Sequence, residues 1–226
     1  MKKMVSVPFM TLGILFVVCL IVSNFLETKV IQIGPVTSTA GLLVFPLSYI
    51  INDCISEVWG YRKARLIIWC GFAMNFVAVA LVQLSIILPA APFWEGGDSF
   101  NMIFGMTPRI VAASFAAFLT GSFINAYVMS KMKISSQGKH FSLRAVVSTI
   151  AGESADSLIF FPIAFFGLIP SDRMALMVVT QIALKSLYEI IVLPVTIRIV
   201  RYVKKIDGSD VYDTQVSFNP FKIRQL

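Results

Sequence analysis

The chain has 226 residues, 57% of them hydrophobic and only 14% charged, with a mean hydropathy of +0.82. A soluble fold averages about a quarter charged residues and could not hide this much apolar side chain. A net charge of +7 suits a nucleic-acid partner, but the placement of those charges along the chain argues otherwise.

A helix needs about 20 mostly apolar residues to cross the hydrocarbon core of a bilayer. The first such run, Val7 to Leu26, carries no charge, and it is too long for a signal-peptide core. The second, about Gly41 to Gly60, holds Asp53 and Glu57, and the third extends from about Ala64 to Ala90. Residues 92–108, rich in Gly, Pro and aromatics, read as an external loop. The fourth span covers about Ile110 to Met129 and ends in a basic connector. The fifth covers about Leu143 to Ile169, with Pro162 inside it, and the sixth about Met174 to Val200. The expected fold is therefore all-α, a single six-helix transmembrane domain over residues 1–205. A polar, loosely ordered C-terminal tail at 206–226 is expected to follow it. Cys19, Cys54 and Cys70 all lie in apolar runs and form no disulfide framework.

Lysine and arginine set the orientation. Fifteen of the 19 fall at the end that holds the N-terminus, among them Lys2, Lys3, Arg62, Lys133, Arg144, Lys204 and Arg224. Only Lys29, Arg109 and Arg173 fall at the other, and Lys185 lies within a span. By the positive-inside rule both termini are cytosolic. The basic balance is then a topology device, and no nucleic-acid partner is expected.

Ionisable groups inside a span cost roughly 2.5 to 3.5 kcal/mol each on insertion scales. Six occur, at helical spacing: Asp53 with Glu57, Glu153 with Asp156, and Lys185 with Glu189. Each pair shares one helix face, and such faces turn into a bundle rather than toward lipid. Tyr49, Thr149, Phe160, Gln181 and Tyr188 extend these faces, and Asn75 and Asn125 add single amides. Counting along the helices places the Asp53 and Glu153 pairs at about the same depth, with Pro46 and Pro162 outward of them. Bends at both prolines would open a cavity above the carboxylates. Lys185 and Glu189 read equally well as an intrahelical ion pair, and Glu57 as an interfacial charge paired with an arginine near Arg62. Asp53, Glu153 and Asp156 have no basic residue within a turn and are the stronger functional candidates. Ala113, Ala117 and Gly121 read as a packing seam. The one histidine, His140, in a basic loop, excludes Ser-His catalysis and multi-histidine metal sites, and no phosphate-binding glycine loop occurs. No cofactor or metal is expected, and paired carboxylates alone give only weak support to an intramembrane enzyme.

The stretch FPLSYIINDCISEVWGYRKAR at 45–65 resembles the signature of the queuosine precursor transporter family, also called the vitamin uptake transporter family. SN at 23–24, GESADSLIFF at 152–161 and QIALKSLYEIIVLP at 181–194 agree with it in order. The resemblance implies a bacterial inner-membrane importer of cyano- and aminomethyl-deazaguanine bases, related to the substrate-binding components of energy-coupling-factor transporters. The residues suit such a cargo. A carboxylate can accept two adjacent N–H donors of a guanine-like edge, an amide can meet its carbonyl, and an aromatic face can stack on the ring. The expected substrate-binding set is Glu153, Asp156, Asp53, Asn52, Asn75, Asn125, Tyr49, Gln181 and Lys185, with Glu57 and Glu189 as proton-coupling candidates. Two other readings stand beside it: a binding subunit driven by an external ATP-dependent partner, and an intramembrane enzyme. A homodimer is plausible for so small a bundle.

Overall fold

A computed structural model describes residues 6–33, 36–105, 108–167 and 170–222. Lys2, Lys3 and Arg224 of the charge asymmetry lie outside them, as do Leu168 and Ile169 at the predicted end of the fifth span.

Six helices are long and apolar enough to cross a membrane: α1 (Val7–Leu26), α2 (Phe45–Trp59, continuing a 3-10 turn at Ala40–Leu43), α3 (Tyr61–Ile87), α5 (Pro108–Ser135), α6 (Phe141–Phe165) and α7 (Ser171–Asp207). A short α4 (Gly97–Phe104) lies in the predicted external loop. A two-stranded antiparallel hairpin, β1 (Val30–Ile33) and β2 (Val36–Thr39), joins α1 to α2. Neither the hairpin nor α4 was expected. Both are short, and their formation depends on the helix ends they bridge.

The bundle is built around α2. Of its residues only Leu47 and Ile51 are part-exposed, and it touches α1, α3, α5, α6 and α7. The outer helices instead present Ile14, Val18, Leu81, Leu84, Leu187, Ile191 and Val195 outward. In water such exposure would be costly; against lipid it costs nothing. The expected seam on α5 is real. Ala113 and Ala117 are fully buried, and Gly121 meets Gly152 of α6 so closely that an added Cβ would lie 2.9 Å from the Gly152 carbonyl.

Three expectations need correction. Pro46 does not bend α2; it lies in its first turn, where a residue without an N–H is accommodated at no cost. The two acidic pairs are not at one depth. Ser148 contacts Asp53 and Arg144 contacts Glu57, so in this antiparallel register Glu153 lies more than a turn toward the other end. The C-terminal segment is not loose. It folds back as a strap over the basic ends of α2, α3 and α5. The Val211 N–H bonds the Val58 carbonyl at 3.1 Å, and the Phe218, Asn219 and Pro220 carbonyls accept from Tyr61, Arg65 and Trp69 at 3.0, 2.8 and 3.0 Å. Asp213 takes the Tyr61 N–H at 2.8 Å and so caps α3, which begins at Gly60 with φ +79° and no side-chain cap of its own. The polar composition of the tail hid this role, because its main-chain oxygens do most of the bonding.

Candidate functional site

A cavity of about 320 Å³ lies between α1, α2, α3, α5, α6 and α7, in the half of the bundle away from the basic ends. Its walls are largely aromatic: Phe45, Phe118, Phe160, Phe161 and Phe165. Its polar groups are Asn24, Glu27, Thr28, Asn75, Ser114, Asp156, Ser157, Gln181 and Lys185. It was expected above the carboxylates and opened by bends at Pro46 and Pro162; Asp156 instead lies in its wall, and neither proline lines it. Arg109, at the start of α5, supports this wall by donating to the Ile163 carbonyl and, at 2.8 Å, to that of Phe166, where α6 runs out of its own donors.

The expected binding residues separate into three layers. Asn75, Asp156, Gln181 and Lys185 line the cavity. Lys185 ties it to the layer beneath: its Nζ is 2.8 Å from Glu153 Oε2, 3.6 Å from Asp156 Oδ2 and 4.0 Å from the centre of the Phe45 ring. Lys185 therefore pairs across helices and not with Glu189 on its own helix, as it was free to do. The ammonium neutralises Glu153 through Oε2 and leaves Glu153 Oε1 without a hydrogen-bond partner.

The second layer is closed to the cavity. Tyr49, Asn52, Asn125 and Thr149 are all buried there. Asn52 donates to Asn125 Oδ1 at 2.8 Å and to the Ser122 carbonyl at 3.2 Å. The Tyr49 hydroxyl and Asn52 Oδ1 have no hydrogen-bond partner, whereas the Asn125 amide and the Thr149 hydroxyl are turned to Asp53 and Glu189. Asp53 and Glu189 adjoin each other just below, with Ser148 3.2 Å from Asp53 Oδ1.

The third layer is an ionic cage at the basic end. Glu57 is gripped by both terminal nitrogens of Arg144 (Nη2 to Oε1 3.2 Å), by Lys204 at 2.7 Å and more distantly by Lys133 at 3.9 Å. Glu57 thus has an arginine partner, but it is Arg144 of α6 and not Arg62. Asp210 of the strap bonds both lysines, at 2.8 Å to Lys204. Although partial burial opposes its ionisation, the hydrogen bonds from Lys133 and Lys204 hold the Asp210 carboxyl below its ordinary value of 3.8.

Sequence reasoning missed Asn24 as a site residue. Its Nδ2 donates to Asn75 Oδ1 at 2.7 Å and so presets the amide that faces the cavity. The signal was present in the SN pair at 23–24, which entered only as part of a resemblance. Phe45, Phe161 and Phe165 were missed too, because in an apolar span an aromatic residue gives no local sign of lining a void. Among the described residues no cluster of three or more His, Cys, Asp or Glu could hold a metal ion.

Residues 39–199, most of the chain, match the family described as "Putative vitamin uptake transporter". The chain belongs to this family. It is similar to the "Probable queuosine precursor transporter" of Bacillus subtilis (strain 168), 25% identical over 76% of each chain. It is also similar to the "Queuosine precursor transporter" of Escherichia coli (strain K12), 28% identical over 64% of this chain and 62% of that one. The "Probable queuosine precursor transporter" of Haemophilus influenzae is 30% identical over 57% of this chain and 52% of its own. No solved structure shows significant similarity. The chain is thus a multi-pass membrane protein of a transporter family, with a cavity inside the bundle.

Proposed function

We propose that this chain imports the deazaguanine precursors of queuosine, in cyano or aminomethyl form, across a bacterial inner membrane and returns them chemically unchanged. The cavity then faces outward and the basic ends, with both termini, lie in the cytosol. The observation that carries this reading is the join of five phenylalanines to an acid–lysine–acid group at the cavity floor. About 320 Å³ is at the small end of ligand sites, which run from roughly 300 to 1,000 Å³. A flat bicyclic base stacks on phenylalanine faces. Asp156 accepts its paired N–H donors, Gln181 and Asn75 meet its carbonyl and ring nitrogens, and Glu153 holds Lys185 in place behind them. Asp53, Asn52, Asn125 and Tyr49 belong to the route below the cavity, reached when the helices rearrange.

The test is thermal stability of the purified protein against a panel of purines and deazapurines, followed by uptake into liposomes containing only this protein. Ligand binding to the native state raises the melting temperature once its concentration exceeds Kd. A shift with deazaguanines but not with guanine or adenine, absent in Asp156→Asn, supports the reading. Normal binding and uptake by Asp156→Asn would remove the assignment of the cavity floor. Binding without uptake in liposomes would favour a subunit that needs an ATP-driven partner, and a chemically altered base would favour an enzyme. Cross-linking in the same liposomes tests the expected homodimer.

A further inference from the structure

Every acid in the polar column is matched by a cation except one pair. Glu153 and Asp156 share Lys185, and Glu57 is held by Arg144, Lys204 and Lys133. Asp53 and Glu189 lie between these two groups, 0% and 2% exposed and in contact with each other, and among the described residues no ion pair reaches either. Two adjoining carboxylates away from water cannot both keep a charge without a counter-ion.

We propose that Asp53 and Glu189 share one exchangeable proton, which is taken up and released in each transport cycle and couples entry of the precursor to a proton gradient. The proposal rests on the transport reading above and adds the energy source to it.

The local hydrogen bonding has room for this proton. The Ser148 hydroxyl owns one hydrogen and is nearest the Ala145 carbonyl, at 2.9 Å. Its distances to the two Asp53 oxygens are 3.2 and 3.3 Å. With its hydrogen given to Ala145, Ser148 offers Asp53 a lone pair, which is satisfied when Asp53 carries a proton. Thr149, 2% exposed, and Asp53 both adjoin the Glu189 carboxyl. One added proton would form a short, charge-assisted O–H···O⁻ bond between the carboxyls and halve the charge buried there.

The groups facing the pair come from each element packed on it. They are Tyr49 and Cys54 of α2, Asn125 of α5, and Ser148 and Thr149 of α6. Beyond them are Glu57 with Arg144 toward the basic end, and Glu153 with Lys185 toward the cavity. α1 carries no charged residue, and those of α3, namely Arg62, Lys63 and Arg65, are at the basic end. The pair is thus insulated from other cations and lies midway between the cavity and the cage, where alternate wetting from either side would load and unload it.

The test has two independent readings. The first needs no precursor: melting temperature against pH at constant ionic strength, with sodium or choline as the cation. The wild type should gain stability as pH falls through the titration of the pair, and Glu189→Gln should lose that component. Identical pH profiles for the two proteins, or a dependence on sodium in place of pH, would overturn the proposal. The second is accumulation in proteoliposomes. One coupled proton supports about tenfold accumulation per unit of inward pH gradient. Glu189→Gln should keep precursor exchange and lose accumulation. Exchange by the wild type without accumulation under a pH gradient, or accumulation driven by sodium alone, would sink the proposal. Absence of exchange and binding in the wild type would instead remove the transport reading, and the pH profile would still decide whether the pair holds a proton.

Discussion

Lys185 Nζ lies 2.8 Å from Glu153 Oε2 and 3.6 Å from Asp156 Oδ2, so one ammonium spans two carboxylates a turn apart on the neighbouring helix. The pairing fixes the rotation of α7 against α6 and puts the only span-centred lysine at the floor of the cavity.

Removing one member of such a group leaves a buried charge without its partner, which typically costs about 3–5 kcal/mol. Lys185→Met should therefore lower thermal stability sharply, and Glu153→Gln in the same chain should restore part of it. A double-mutant cycle on melting temperature measures the coupling; additive losses would mean that the two side chains act independently.

Glu57 joins α2, α6, α7 and the strap in one cage. Glu57→Gln leaves buried Arg144 without its carboxylate, Lys204 keeping only Asp210, and should destabilise by a similar amount, about 3–5 kcal/mol. Lys139→Ala, an exposed change outside the cage, should stay within about 0.5 kcal/mol. Denaturation in mixed micelles compares the two.

The Asp210 carboxyl is held below 3.8 by its lysines, so its bond to the cage is fully present above that pH and is lost as pH falls through the lower, folded-state value. Acidification below about pH 4 should loosen the strap. Trp69, which donates to the Pro220 carbonyl and packs on Phe221 at 6.0 Å, reports the change in its fluorescence. Asp210→Asn should show the loosened signal already at neutral pH.

At the α5–α6 crossing, a Cβ on Gly152 would lie 2.8 Å from both Asn125 Cβ and Tyr49 Cε1, and 2.9 Å from the Gly121 carbonyl. Gly152→Ala should cost about 1–3 kcal/mol, because neither backbone nor ring can retreat easily. Gly97→Ala, with open space around it, should be near neutral by the same melting assay.

The sequence alone determined the spans, their order and the polar face of each. Lipid admits only apolar surface and closed backbone hydrogen bonding, so a run of Val, Leu, Ile and Phe identifies its own environment. The helical period then puts Asp53 with Glu57, and Glu153 with Asp156, on single faces without any knowledge of neighbours. Only the tertiary structure decided how these faces meet. Ion pairing between helices depends on their register and rotation, set by contacts such as Gly121 on Gly152 that no local rule encodes. That register gave Lys185 to Glu153, gave Arg144 to Glu57, and left Asp53 and Glu189 with each other. It also gave the strap its place, since the bonds of Tyr61, Arg65 and Trp69 run to main-chain oxygens, which every residue possesses and which side-chain identity therefore does not reveal.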